Sequence, residues 1–354
     1  MSIFVIGYYS TLVAASCLAA YFRRRSVFLL LFTLFLVSLV VGIIGGISAL
    51  RGIVGFAAVL ALAAGMSYAF KEFLIAVSPP NLSKELATAP LTASFGMFVI
   101  FIYAIAGIFA PVIAPHGEAE VISSAFAPAD ENMLLGADQL GRDMFSRIVY
   151  GARNSVGLAL VATSLAFIMG ALGGLFAATK GGWLDQILGR AADVIMSVPS
   201  LIFALLMLSI LGTSLWVIVV VVAVIYSPRV FRLTRAVAGN VVVMDYIEAA
   251  RLRGEGTWYL IRKEILPNST APLIAEFGLE FCFVFLLIAG LSFLGLGIQP
   301  PTADWGSMVR ENATLISFGD ITPLIPAAAI ALLTVAVNFV VDWMLFRSSG
   351  LKEQ

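Results

Sequence analysis

Two patterns of charged residues in this chain could carry chemistry. The first is YIEAARLRGEGTWYLIRKEILP (Tyr246–Pro267), in which seven of 22 residues are charged. The second is the pair Glu276 and Glu280, spaced one helical turn apart within an apolar stretch. Ionisable residues inside apolar membrane segments are costly, and they are functional candidates by default. The first pattern predicts a surface that docks into another protein, and the second predicts a path that favours cationic or amino-terminal groups. Pairing of the two acids with a partner subunit is the alternative.

Several kinds of catalysis are excluded by residues that the sequence lacks. It contains no GxxxxGK[ST] phosphate loop, so the chain itself is not expected to bind ATP. His116 is the only histidine, which excludes HExxH metalloprotease chemistry and any Ser-His catalytic arrangement. Cys17 and Cys282 lie in apolar stretches and are expected to be buried apolar side chains, not a disulfide or a metal pair. We therefore expect a non-catalytic protein without a cofactor or a metal.

The elements that must position these charges are membrane helices. The chain is 61% hydrophobic and 12% charged, with a mean hydropathy of +1.03. Uncharged apolar runs of about 18 or more residues are typical of membrane-spanning helices. Five such runs are Ile3–Phe22, Ser26–Leu50, Gly52–Phe70, Leu91–Ala114 and Asn154–Thr179. Two further spans are expected near Ala271–Leu296 and Ile321–Phe346.

The apolar stretch Val194–Pro228 is short for two spans unless the first begins earlier, near Ile187. The turn Gly212-Thr213-Ser214 is expected to divide it. The sequence thus predicts an all-α polytopic membrane protein with a core of six helices. The core is assigned to residues 91–354, and residues 1–90 are expected to form an extension of two or three further membrane helices. A linker containing Pro, Ser and Asn lies between Val77 and Pro90.

The distribution of charge predicts the orientation of the core. Basic residues in short loops mark the cytoplasmic side. The stretch Arg229–Asn268 has seven basic residues against four acids, whereas His116–Tyr150 has six acids and only two arginines. Counting spans between them places Arg229–Asn268 and the C-terminus in the cytoplasm and His116–Tyr150 outside. The formal net charge of zero says nothing about nucleic acid, and the sequence has no basic patch large enough to suggest a nucleic-acid partner.

The charged segment 245–267 is predicted to form two short helices joined by a sharp turn. Asp245 is expected to cap the first helix, with Glu248 as its partner in a capping box. Gly254 and Gly256 are expected to end that helix, because glycine readily adopts a positive φ. Trp258–Leu266 is expected to form the second helix, which Pro267 closes.

The spacing of Glu248-Ala249-Ala250, Gly254 and Ile265-Leu266-Pro267 resembles the EAA loop of binding-protein-dependent ABC importers. Three more stretches resemble motifs of the dipeptide/oligopeptide permeases within this group: Leu135–Ser155, Gly181–Leu201 and Leu291–Met308. The resemblance extends from about Ser94 to Phe346, roughly 70% of the chain. The order of the motifs is similar to that in the second of the two membrane subunits of a peptide-type importer.

This resemblance implies partners and site residues. The partners are two ATP-binding subunits, which bind and hydrolyse the ATP, a homologous second permease subunit and an extracytoplasmic solute-binding protein, all at a cell membrane and in contact with its lipid. Residues implied in ATPase coupling are Glu248, Ala249, Ala250 and Gly254. Residues implied on the outer face, near the docking position of the solute-binding protein, are Gly136, Asp138, Gly141, Arg142 and Asp143. Structural packing is an equal alternative for the outer residues.

Three points remain open at this level. Permeases of this family also serve nickel, oligosaccharides and other solutes, so the cargo is not fixed by the resemblance. A self-sufficient secondary carrier is the alternative from another class, but the chain shows no convincing internal repeat of the kind such carriers contain. The sequence also departs from the family pattern, since a Glu that usually precedes the SFLGLG run is replaced by Ile288.

Overall fold

The structure, a computed structural model, describes Thr11, residues 48–131 and residues 133–348. The predicted spans Ile3–Phe22 and Ser26–Leu50 lie largely outside these residues, as does Cys17. The chain divides into two compact units, Met1–Phe73 and Leu74–Gln354. In the described part, extended pairing is limited to two isolated bridges, Val121–Arg142 and Ala137–Asp143, and everything else with regular structure is helical.

The helices are numbered here along the chain. Before the charged segment they are α1 (Ser48–Val77), α2 (Pro80–Ala87), α3 (Leu91–Ile108), α4 (Ala110–Ile113), α5 (Met144–Lys180), α6 (Gly182–Met196), α7 (Ser200–Leu211) and α8 (Leu215–Val242). From the charged segment onward they are α9 (Asp245–Leu252), α10 (Thr257–Tyr259), α11 (Leu266–Phe293), α12 (Trp305–Asn312) and α13 (Leu324–Ser348). A π-helical turn, Leu260–Ile265, joins α10 to α11, and a 3₁₀ segment, Ala313–Phe318, follows α12.

The predicted core of six membrane helices is confirmed. Among the described residues, six helices are long and apolar enough to span a membrane, and one of these, Val59–Val77, belongs to the N-terminal 90 residues. The other five are α3, α5, α8, the continuous stretch Thr257–Phe293 and α13. The sixth core span is the pair α6 and α7, which is bent by 86° at Ser197–Pro199. The Gly212–Ser214 turn divides this broken span from α8, as predicted.

The central contact of the core is made by α5 and α8, and small residues allow it. A Cβ atom on Gly174 would lie only 2.7 Å from the carbonyl oxygen of Phe231, and one on Gly170 would meet the backbone of Ser227. The two glycines form a GxxxG pattern, which lets helix backbones approach closely in membranes. Around them, the buried side chains of α5, α8 and α11 form one apolar cluster, in which Ile218, Val222 and Phe285 are almost fully inaccessible.

Two segments that the sequence assigned to loops are helical. The predicted linker between Val77 and Pro90 contains α2, whose Leu86 is buried and whose Glu85 forms an ion pair with Arg347. The first part of the basic stretch 229–268 is the C-terminal half of α8, so Arg229, Arg232 and Arg235 lie on a helix rather than in a loop. The charge count was right, but the helix continues about four turns further than its uncharged run.

The proline within α8 is tolerated because a side chain replaces its missing donor. Pro228 has no N–H to give to the carbonyl of Val224, four residues earlier. The hydroxyl of Ser227 donates to that carbonyl oxygen at 3.2 Å. This hydrogen bond is important in a membrane helix, because no water is available there to donate to a free backbone carbonyl.

Candidate functional site

The charged segment forms a short surface helix that is held on one face. In α9, Ile247 and Ala250 are fully buried and are three residues apart, so they share one side of the helix. They pack in a small apolar cluster with Leu175 of α5, Val241 of α8 and the π turn. This cluster is separate from the large core and lies where the C-terminal ends of α5 and α8 meet the charged segment. The segment is therefore attached to the membrane core by apolar contact and not only by its chain connections.

The opposite face of α9 is exposed and carries both charged and apolar side chains. The predicted coupling residues Glu248, Ala249 and Gly254 are all exposed, whereas Ala250 belongs to the buried face. Leu252, the last residue of α9, is 84% exposed, and Val243, just before the helix, is 79% exposed. An exposed helix face of this mixed kind, held from behind by apolar packing, is suited to docking with another protein.

Gly254 ends α9, as predicted, and its conformation explains why glycine is required. Its φ is +83°, and a Cβ there would meet nothing within 4 Å. The Gly254 N–H donates to the carbonyl of Arg251, and the Glu255 N–H donates to the carbonyl of Ala250. These two bonds form a Schellman motif, in which a left-handed residue just beyond the helix satisfies its last carbonyls. The turn between the two halves of the segment therefore depends on backbone conformation.

The predicted capping box is wrong. The N-cap of α9 is Met244, in the extended conformation, and Asp245 is the first residue of the helix without a capping bond from its side chain. Asp245 and Glu248 nonetheless lie in the first turn, where negative charge interacts favourably with the helix dipole. Their contribution is electrostatic, and both carboxylates remain exposed.

The second half of the segment also differs from the prediction. Pro267 does not close a helix: it lies in the first turn of α11, where its missing N–H is tolerated. The helical path therefore runs from Thr257 through the π turn into the membrane without a break. Trp258 stacks on Phe176 of α5, with ring centroids 6.1 Å apart. The Arg251 side chain donates to the carbonyl of Thr179 near the inner end of α5.

The predicted outer-face residues are brought together as a buried group. Gly136 and Gly141 have positive φ values, of 73° and 77°, in the loop before α5. Asp143 caps α5 by accepting from the Ser146 N–H at 2.9 Å. The Asp138 carboxylate accepts from Arg142 Nε at 2.7 Å and also from the backbone N–H of Arg142.

Two residues that the sequence did not single out complete this outer ion network. Glu311 on α12 lies 2.9 Å from Arg142 and 3.2 Å from Arg147, and Arg147 lies 3.3 Å from Asp138. All four side chains are at most 5% exposed. Two carboxylates thus balance two guanidinium groups in a buried site. Removing one partner from such a buried pair costs about 3–5 kcal/mol, so the network holds α12 on the N-terminal end of α5.

The segment after α11 attaches to the same end of α5. The Trp305 indole N–H donates to the Ile148 carbonyl at 3.0 Å, and its ring packs edge-on against Tyr103. Asp304 caps α12 and accepts a 2.7 Å bond from the Ser155 hydroxyl. Burial raises the pKa of Asp304, while the hydrogen bonds from Ser307 and Ser155 oppose that rise. The Leu291–Met308 motif is therefore explained by packing.

The two intramembrane acids occupy different surroundings. Glu276 is partly buried, whereas Glu280 is 2% exposed. One oxygen of Glu280 lies 3.9 Å from the guanidinium of Arg229, and its other oxygen is buried without a hydrogen-bond partner in the described structure. The partner in this contact comes from the same chain. The sequence indicated an acid in the membrane but placed Arg229 in a loop, so the pairing could not be anticipated.

A polar contact joins two of the spans. Asn338 of α13 donates to the Cys282 sulfur of α11 at 3.8 Å and also to the Thr334 carbonyl of its own helix. Cys282 is buried, as expected. Within the residues described, no cluster of His, Cys, Asp and Glu side chains could hold a metal ion.

Comparison with known proteins places these features in context. Residues 170–348 match the model of the family described as "binding-protein-dependent transport system inner membrane component". The chain is 34% identical over 254 residues to the di/tripeptide transport system permease protein of Pseudomonas aeruginosa, with 70% of this chain and 84% of that protein covered. It is 33% identical over 258 residues to the probable D,D-dipeptide transport system permease protein of Escherichia coli, with 73% and 86% covered. Among solved structures it is similar to a chain of the MetNI methionine ABC transporter, with 19% identity, a TM-score of 0.47 and 58% and 97% covered. The family match includes the charged segment and both intramembrane acids.

Proposed function

Since the chain belongs to the family of binding-protein-dependent transport system inner membrane components, we propose that it is the second of two homologous permease subunits in an ATP-driven peptide importer. In this assembly it forms the membrane pathway together with the other permease. Two ATP-binding subunits supply the energy from the cytoplasm, and a solute-binding protein delivers the cargo from outside. The chain itself hydrolyses nothing and carries no cofactor.

The observation that carries the proposal is the construction of α9. Its buried face is fixed to the inner ends of α5 and α8, and its free face presents Leu252 with exposed charges around it. A docking helix must be fixed to the part that moves and free on the side that its partner contacts. Glu248, Ala249 and Gly254 contribute to this free face and to the turn behind it, and Ala250 contributes to its attachment.

Peptide cargo is proposed from the relatives. The two permeases named above serve transport systems for di/tripeptides and D,D-dipeptides. A path for peptides has to accommodate an amino group, and Glu276 and Glu280 are the acids within the α11 span. Nickel or oligosaccharide transport by the same machinery would leave the coupling argument unchanged, because that argument rests on α9 alone.

The orientation follows from charge. Placing α9 in the cytoplasm puts the basic inner half of α8 and Arg347 on the same side, in agreement with the excess of basic residues in cytoplasmic loops. The loop before α5, with its acids, then faces outward. A self-sufficient carrier would have no need of a surface helix with a free face for a partner.

Site-directed cross-linking tests the proposal. Leu252→Cys places a thiol at an 84% exposed position at the end of α9, and the control Ile321→Cys places one at a 69% exposed position just before α13, on the opposite side of the membrane in the proposed orientation. With the natural membrane as source, a thiol-reactive cross-linker should join the Leu252→Cys chain to a protein that contains a phosphate loop, and the control should not. The proposal is wrong if both variants give the same products, or if the chain purifies alone in mild detergent and is not cross-linked at either position.

A second experiment tests the cargo. The solute-binding protein recovered with the complex is unfolded, and its released ligand is identified by mass spectrometry. Peptides are expected. A metal ion or a sugar would replace the peptide assignment and leave the importer assignment in place.

A further inference from the structure

A charged group lies midway along one of the membrane helices. Arg229 is the fifteenth of the 28 residues of α8, and Glu280 is the fifteenth of the 28 residues of α11. At about 1.5 Å per residue, each lies roughly 20 Å from both ends of its helix. Both helices are long enough to span the hydrocarbon core, which is about 30 Å thick. Charged residues within spans are rare and mark substrate pathways or pairing sites.

The contact between these two groups is incomplete. The nearest approach of Arg229 to Glu280 is 3.9 Å, which is too long for a hydrogen bond. Within the described structure the Arg229 guanidinium, with its five N–H donors, has no hydrogen-bond acceptor. It is held instead by the ring of Phe283, whose centroid lies 4.5 Å from the guanidinium carbon. Because the Arg229 side chain is partly exposed, these donors are accessible to an acceptor from outside the chain.

A cavity provides space for that acceptor. Arg229 lines a cavity of about 320 Å³ together with Tyr226, Phe203 and Phe283. Its side chain is 43% exposed, whereas Glu280 is buried behind it and does not line the cavity. The volume is within the range of small-molecule sites, which are mostly apolar with a few polar groups. A ligand in this cavity therefore encounters a positive group surrounded by aromatic rings.

The break in the sixth span opens into the same cavity. Val198, Pro199 and Ser200 line it, and Ser200 is the first residue of the 12-residue helix α7. The first N–H groups of a helix have no intrahelical acceptor and carry a partial positive charge. Broken membrane helices whose ends point at anionic groups of a substrate are a recurring arrangement in transporters. The helix end and Arg229 thus give the cavity the same sign of charge.

We propose that this cavity binds the carboxylate of a solute in the membrane pathway, with Arg229 as the residue that contacts it. The inference rests on the proposed function, and in a peptide importer the group bound is the C-terminal carboxylate. Glu280 positions Arg229 and competes with the ligand for the positive charge of the Arg229 guanidinium. This competition keeps binding weak, as transport requires, because a pathway site must release what it binds.

The test measures binding without the solute-binding protein, which would otherwise impose its own selectivity. The complete complex in lipid nanodiscs is incubated with radiolabelled dialanine or with dialanine amide, in which the C-terminal charge is absent. Wild type should bind the acid about tenfold more tightly than the amide, since charge-assisted bidentate bonds to arginine are the strong ones. Arg229→Gln should remove this preference, and Arg229→Lys should restore part of it.

Two further variants separate a contact with the ligand from a structural role. Arg232→Gln is the matched control: it lies on the same helix, is exposed, and pairs with Asp193 of α6. It should bind both probes as wild type does. Glu280→Gln should bind the acid several-fold more tightly, because it removes a competing carboxylate. If Arg229 and Glu280 were needed only for packing, Arg229→Gln and Glu280→Gln would not change binding of the acid in opposite directions.

The outcomes separate a failure of the proposed function from a failure of the carboxylate site. If the wild-type complex lacks ATP-binding subunits, the proposed function fails. If the complex is intact but binds acid and amide equally, or if Arg229→Gln keeps the preference, only the carboxylate site is refuted. Loss of the second permease subunit from the Arg229→Gln complex, with the subunit retained by Arg232→Gln, would also refute it, because Arg229 would then pair with that subunit.

Discussion

Substitution of Gly254 tests whether the turn behind α9 transmits force to the core. The change is graded: Gly254→Asn, Gly254→Ala and Gly254→Val place progressively less suitable side chains at a φ of +83°. Because a Cβ at this position meets nothing within 4 Å, no variant introduces a clash. The series therefore perturbs only the backbone conformation of the turn.

The magnitude follows from the cost of a left-handed residue. An L-residue in this region costs about 1–2 kcal/mol relative to glycine, least for Asn and most for a β-branched side chain. A cost of about 1 kcal/mol lowers the population of the native turn about fivefold relative to competing turns. The two hydrogen bonds that end α9, from Gly254 and Glu255, are lost in those competing turns. Leu252 then no longer lies where a partner can contact it.

The assay is the affinity of the purified permease pair for its ATP-binding subunits, followed by ATP-dependent uptake into proteoliposomes. The dissociation constant, which varies inversely with the fraction of the chain in the native turn, should rise by up to about fivefold for Ala, less for Asn and more for Val. Gly256→Ala is the matched control, because Gly256 is extended (φ −76°) and its Cβ also meets nothing within 4 Å. It should match wild type.

Two results would refute this reasoning. If Gly256→Ala weakens coupling as much as Gly254→Ala does, loop flexibility matters and the left-handed turn does not. If Val is tolerated as well as Asn, the conformation seen at Gly254 is not needed for docking. Thermal unfolding of the isolated chain should be similar throughout the series, since neither glycine contacts the core.

Three further predictions concern the stability of the core in detergent. Gly174→Ala should lower the midpoint of thermal unfolding, because the new Cβ would press on α8. Gly157→Ala is the control on the same helix: it has open space around it and should leave the midpoint unchanged or raise it slightly. Trp305→Phe should cost about 1 kcal/mol or more, because it leaves the buried Ile148 carbonyl without the indole donor, and chemical denaturation would measure this loss. Because burial raises the pKa of Asp304, the stabilisation linked to its proton is fully present below the unfolded pKa and is lost as pH rises through the folded pKa. Asp304→Asn should remove this pH dependence from thermal-shift profiles across the acidic range, and an unchanged slope would contradict it.

The membrane core could be predicted from sequence because many residues together indicate each span. A span is specified by many apolar residues in a row, so single exceptions do not change its identity. The helix count in the core, the turn at Gly212–Ser214 and the close approach at Gly170–Gly174 all follow from residue type and spacing alone. Glycine at 254 was equally informative, since few other residues adopt its conformation.

The sequence-based predictions were wrong where tertiary contacts outweighed the preference of a single residue type. Asp245 has the residue type of an N-cap, but the buried position of Ile247 determines where α9 begins, and Met244 becomes the cap. A proline often marks the end of a helix, but Pro267 lies in the first turn of α11, directly after the π turn. Arg229 carries a charge and was therefore assigned to a loop, although Phe283 and Glu280 hold it inside the span.

Chain connectivity joins the two proposed sites. The segment that contains α9, α10 and the π turn is the connection between α8 and α11, and these are the helices that carry Arg229 and Glu280. The hydroxyl of Tyr226 donates to the Phe283 carbonyl at 3.2 Å, which ties the two helices together beside the cavity. A displacement of α9 by a partner therefore acts on both helices at the ends that adjoin this segment. Packed helices move as rigid bodies more readily than they deform, so the movement reaches the middle of each helix. Because Arg229 there holds the proposed ligand and Glu280 competes for it, a small change in their 3.9 Å separation is enough to alter the strength of binding.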